Sequence, residues 1–152
     1  MDIFAHGLWI YALYFKTKYR LLAVFFGVMP DLVSFGIFLV FNLISNGFGR
    51  PEINSIPEYV FVGYNFTHSI VIFFIIFSIF YYVIREIPWV TGGWLLHILI
   101  DIPTHTSDFF PTPFLWPISD FRFSGISWEN PIFMAVNYGL LFLVYAFLLI
   151  KL

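Results

Sequence analysis

The apolar residues of this chain fall into five blocks, 3–15, 21–44, 66–84, 89–102 and 131–150, separated by shorter polar stretches. A helix that crosses a membrane takes about 20 mostly apolar residues, with about 17–25 as the working range. Blocks 66–84 and 131–150 meet that length cleanly. Block 21–44 meets it but carries Pro30–Asp31 in its interior, and Pro30 is expected to break the helix. Blocks 3–15 and 89–102 are short, and the latter holds His97 and Asp101. Pro88 and Pro131 stand where a helix would begin, a position proline tolerates. The pattern predicts an all-α protein, a polytopic helical membrane bundle of about four to five transmembrane helices.

The connections set an orientation. Residues 16–20 read KTKYR, 85–88 form a four-residue turn, and 45–64 are polar with Gly and Pro. Basic residues mark cytoplasmic loops. With five spans, Lys16, Lys18, Arg20, Arg85 and Lys151 fall on one side, and Arg50 and Arg122 on the other. The expected location is therefore the cell (plasma or inner) membrane, multi-pass, with the N-terminus and both long loops outside. The start, MDIFAHGLWIYALYF, lacks a basic leader and a small-residue cleavage site, and is expected to be a retained first helix. Loop 104–130 is long and holds Asp108, Asp120, Arg122 and Glu129. Its run FFPTPFLWPISDFRFSGISW is too apolar for an ordinary external loop. It is expected to lie on the membrane surface, as a lid over a site or as an interfacial anchor.

Composition agrees with a membrane setting. Of 152 residues, 61% are hydrophobic and 11% charged, against about 45–50% and about 25% in soluble domains. The length and the absence of an internal repeat predict a single domain, 1–152. A net charge of −2 gives no reason to expect nucleic acid as a partner. The chain has no cysteine, so any metal must be held by imidazole and carboxylate, a donor set suited to zinc, manganese or iron.

Ionisable groups inside membrane segments are costly and usually face the protein interior, paired or functional. Here they are His6, Asp31, His68, His97, Asp101 and, just beyond, His105. His97 and Asp101 are four apart, which puts their Cβ atoms about 5–6 Å apart on one helix face. The ring of Pro103 clashes with the Leu99 carbonyl, so the helix should kink or end there and leave His105 at the rim. The depths of His6, Asp31, His68, His97 and Asp101 in their segments agree with one cavity in the outer half of the bilayer. Plainer roles stand beside this one. His97–Asp101 can be a structural hydrogen bond, His68 part of a polar helix start, His6 an interfacial side chain, Asp31 an N-cap and His105 a solvated loop residue. Asp108, Asp120 and Glu129 read as loop charges, and Arg122 as a partner for Asp120 or a binder of anions.

His6, the GVMPD ending in Asp31, THS with His68, and HILIDIPTH with His97 and Asp101, in that order and inside apolar segments, resemble the predicted membrane-bound metal-dependent hydrolase family. That family is distantly similar to zinc-dependent phospholipase C. The likeness runs from His6 through Trp128. It implies metal ligation by His6, Asp31, His68, His97 and Asp101. No HxxxE follows in this chain, so these five suit one or two divalent ions, with zinc the first expectation.

The expected function is hydrolysis of a phosphoester of a lipid or lipid-linked substrate by a metal-activated water. Asp31 or Asp101 orients the nucleophile, His105 delivers a proton to the leaving group and Arg122 holds phosphate. The expected partners are the bilayer, the substrate and a second copy of the chain. Two alternatives remain: an ion- or proton-coupled transporter, and a non-catalytic membrane assembly protein with a structural metal.

Overall fold

A computed structural model describes residues 1–47 and 51–151; Arg50, placed outside by charge, lies beyond the described residues. Among them there is no strand, only helices and loops. In chain order the helices are α1 (Ile3–Leu13), α2 (Arg20–Asn46), α3 (Glu58–Thr67), α4 (Ile70–Ile84), α5 (Gly92–Thr104) and α6 (Pro131–Ile150).

Two of them, α2 with 27 residues and α6 with 20, are long and apolar enough to cross a membrane. A third crossing exists only if α3 and α4, bent by 61° at their junction, count together. Two spans, or three with the bent pair, stand where the blocks led us to expect about four to five. Three differences from the sequence reading have physical causes.

First, α2 does not break at Pro30 but runs through it. Proline removes one helical hydrogen bond, the one to the Phe26 carbonyl, and the helix continues past it, with the Pro30 oxygen accepting from Ser34 Oγ at 2.7 Å and from Thr67 Oγ1 at 3.3 Å. Second, block 66–84 is two helices, not one. Thr67 ends α3, and Ser69 starts α4 from an extended backbone with its hydroxyl accepting from Ile72 N. The gap is held from outside. The Trp94 indole donates to the Thr67 carbonyl at 2.6 Å, Ile70 N donates to Phe114 O at 3.0 Å, and Ser69 Oγ donates to Trp116 O. Third, block 89–102 is a 3-10 turn at Trp89–Thr91 followed by α5 of 13 residues; α5 ends one residue past Pro103, as the proline leads one to expect.

The helices meet where side chains are smallest. A Cβ on Gly93 would lie 2.1 Å from the Ala23 carbonyl oxygen, and one on Gly27 would lie 1.9 Å from Ile10 Cδ1. Small residues allow such close backbone approach between helices in lipid. The result is that α5 lies against α2, with α1 wedged beside them. Outward faces are apolar: Ile37, Val40, Phe41 and Ile44 on α2, Ile75 and Ile79 on α4, and Phe142 and Leu143 on α6 are all exposed. Such faces fit hydrocarbon rather than water.

Loop 104–130 returns to the end of α5. Gly125 N, Ile126 N and Trp128 N donate to the carbonyls of His105, Pro103 and Thr104 at 2.7, 2.9 and 3.0 Å. These are among the carbonyls a helix end leaves without intrahelical partners. A side chain at Gly125 would collide with the Pro103 backbone, its Cβ 2.1 Å from that carbonyl oxygen. Farther along, Phe110 packs among Phe35, Phe61 and Tyr64, and its carbonyl accepts from Tyr64 Oη at 2.9 Å.

Candidate metal centre

The Gly27–Gly93 contact brings the next turn of α5 against α2. His97, four residues after Gly93, reaches the Gly27 carbonyl with Nδ1 at 2.7 Å. A carbonyl only accepts, so Nδ1 carries the proton and Nε2 presents its lone pair. His68 is oriented the same way at the α3–α4 gap. Its Nδ1 lies 2.9 Å from Thr67 Oγ1 and 3.2 Å from the Tyr64 carbonyl. The Thr67 hydroxyl proton goes to the carbonyls of Gly63 (2.9 Å) or Pro30 (3.3 Å), so it is His68 Nδ1 that donates. Tyr64 stacks on the His68 ring at 3.8 Å and fixes its plane.

Both Nε2 atoms therefore point inward as acceptors, and they stand 3.0 Å apart. Two carboxylates face them. Asp101 Oδ2 is 3.2 Å from His97 Nε2 and 3.5 Å from His68 Nε2; Asp31 Oδ1 is 3.7 and 3.4 Å from the same atoms. One donor atom from each of Asp31, His68, His97 and Asp101 falls within 4.8 Å of every other. His68, His97 and Asp101 are buried, and Asp31 is 18% exposed on its open side. Four acceptors converge with no donor between them. Such an arrangement is costly away from water unless a metal ion or a proton lies among the four. The fit to a metal is good: imidazole and carboxylate donors, ring nitrogens set by backbone carbonyls behind them, and, among the described residues, no Lys or Arg paired with either carboxylate.

His6 meets this group from the side. Its Nε2 is 2.8 Å from Asp101 Oδ1, and its ring stacks on His97 at 3.8 Å, while Nδ1 is buried without a hydrogen-bond partner. It stands outside the four-way group and touches it through Asp101. The α-amine of Met1 also donates to Asp101 Oδ1, and to Thr104 Oγ1 at 3.1 Å.

His105 is not a solvated loop residue. It is buried, with Nδ1 3.1 Å from the Asp101 carbonyl. Burial, the largest influence, pushes its imidazole down to about 4. Arg122 stands apart. It is exposed, and its guanidinium reaches Asn65 Oδ1 at 3.4 Å rather than the expected Asp120. Asp108, Asp120 and Glu129 are exposed loop residues, although Glu129 stands at the wall of the cavity described next.

A cavity of about 420 Å³ opens beside the group. Asp31 and His105 line it together with Asp2, Tyr64 and Glu129, while Phe4, Phe35, Leu39 and Phe110 supply apolar wall. Phe109, Phe110 and Trp128 of the long loop line one side of it. That loop thus covers the cavity with its aromatic residues.

Sequence reasoning named the imidazoles and carboxylates but missed their supports: the Gly27 carbonyl, Thr67 and Tyr64. The THS and YNFTHS stretch held the signal for Thr67, a hydroxyl next to a membrane histidine. The glycines of GVMPD and TGGW held the signal for the helix crossing. Comparison with protein-family models, with curated proteins and with solved structures found no match to this chain.

Proposed function

We propose that this protein is a membrane-embedded, metal-dependent hydrolase that cleaves a phosphoester of a lipid or lipid-linked substrate. The observation that carries the reading is the convergence of four acceptor atoms, from Asp31, His68, His97 and Asp101, with no donor among them. A divalent cation bound there, zinc if the family resemblance holds, would lower the pKa of a coordinated water to about 7 and polarise a phosphoryl oxygen.

The remaining roles belong to side chains. His97 and His68 hold the cation with Nε2, each kept in that tautomer by the acceptor behind Nδ1. Asp101 is shared between the cation group, His6 and the Met1 amine, which keep it ionised. Asp31, on the side of the group that meets the cavity, orients the attacking water. His105, at the cavity wall, delivers a proton to the leaving oxygen, and its depressed basicity suits it to the acidic side of that transfer. Arg122 would have to swing from Asn65 to hold phosphate. A structural metal site is closed, whereas a catalytic one keeps a position open; the cavity reaching Asp31 supports the second.

This reading accords with the resemblance to membrane-bound metal-dependent hydrolases. It also takes the site to face the outer side of a cell membrane in a multi-pass chain. The test is metal analysis of protein purified without chelator, followed by a panel of lipid phosphoesters with and without chelator. We expect about one to two zinc ions per chain and chelator-sensitive release of phosphate or phosphorylated headgroup. Sub-stoichiometric metal would overturn the proposal. So would stoichiometric metal without turnover on any phosphoester, which would leave a structural site.

A further inference from the structure

The cavity beside the metal group contains a feature the chemistry above does not use. One wall is α2, and its floor there is Gly36, where an added Cβ would meet no atom within 4 Å. On either side of this gap Leu32 and Leu39 line the cavity and remain 49% and 48% exposed, and Phe4 of α1 closes the opposite rim at 75% exposure. Leu32, Gly36 and Leu39 follow the spacing that places residues on one helix face. An apolar notch thus lies over Gly36 between Leu32 and Leu39, in the same cavity that Asp31 lines.

We infer that the notch over Gly36 receives the hydrocarbon chain of an amphiphile whose phosphate lies at Asp31 and His105. The inference rests on the hydrolase reading for the identity of the polar head, but the notch's preference for a chain stands on its own geometry. Three observations select a chain. The notch lies in the cavity that Asp31 and His105 line, so head and tail are bound by one molecule. Its rims are exposed apolar side chains on a helix long enough to cross a membrane, so a chain enters from hydrocarbon without passing through water. The empty space lies over a glycine rather than between bulky residues, so it is present without any rearrangement.

The probe is a series of n-alkyl phosphates from ethyl to hexyl, chains short enough to bind from water. Binding would be measured calorimetrically to zinc-loaded protein in lipid nanodiscs, with the signal of empty discs subtracted. In the wild type, affinity should rise by up to about fourfold for each added methylene until the notch is filled, the increment expected for burying one such group. Gly36→Phe, which fills the notch from its floor, should flatten that rise. Leu39→Trp, which narrows the same notch from the rim, serves as a second variant. The melting temperature of each variant reports that the fold is intact.

A rise with chain length that is equally steep in wild type, Gly36→Phe and Leu39→Trp would overturn the inference, as would a wild-type affinity independent of chain length. Failure of the hydrolase reading looks different. Binding would then be insensitive to removal of zinc, while the rise with chain length and its loss in Gly36→Phe persist.

Discussion

At His97, the direction of one hydrogen bond sets the chemistry of the other ring nitrogen. Because Nδ1 is committed to the Gly27 carbonyl, Nε2 is left to accept from, or to ligate, whatever lies between it and His68. The same logic at His68 runs through Thr67. Thr67→Val removes the oxygen that takes the His68 Nδ1 proton but no proposed ligand, and should weaken zinc binding about 10–100-fold, as changes behind a metal ligand do. His97→Ala removes a ligand and should cost more than that. Zinc titration and thermal stability measured together on both variants check the pair. A destabilised His97→Ala protein with full zinc occupancy would mean that the cluster is a structural polar network instead. The ligands were legible in the sequence by type, because charged and imidazole groups inside apolar blocks are few. The acceptors that aim them were not, since a backbone carbonyl such as that of Gly27 carries no mark in the sequence.

Among the elements, α6 was legible to the residue because an asparagine cap, a proline at the first turn and an unbroken apolar run all agree there. The α3–α4 pair was not. The polar Thr67–Ser69 stretch marks the break in an otherwise apolar block, but the bend itself is held by partners from elsewhere: the Trp94 indole and the carbonyls of Phe114 and Trp116. Block length also misled at α5, which is too short to be a span and serves instead to carry His97 and Asp101 against α2. That contact depends on Gly93. In Gly93→Ala the new methyl meets the Ala23 carbonyl at 2.1 Å, a backbone atom that moves only with its helix. The expected cost is about 1–3 kcal/mol from overpacking. Because the helices must separate to admit the methyl, zinc affinity should fall together with the melting temperature. Unchanged affinity in a destabilised variant would show that the crossing does not position His97.

For the whole molecule, charge predicts which side each loop faces, and the helices allow a direct check. Thr17 and Ser124 are both exposed, the first in the basic 16–20 connection and the second in the long aromatic loop. In intact cells an impermeant thiol reagent should label Ser124→Cys and leave Thr17→Cys untouched. The opposite result would invert the orientation, and labelling of both would place the two loops on one side. The two long helices also differ in reach. At 1.5 Å per residue, the 20 residues of α6 extend about 30 Å, close to the thickness of a bilayer's hydrocarbon core, whereas the 27 of α2 extend about 40 Å. A helix longer than its bilayer tilts or protrudes, and α2 is the one that carries Asp31 and the Gly27 carbonyl. Host lipid thickness therefore acts on the metal group directly. Thin bilayers lean α2 away from upright and thick ones let it straighten, so zinc affinity measured in lipids of increasing acyl length should pass through a maximum. A flat profile would mean that packing against α5 and α1 holds α2 at one angle whatever surrounds it.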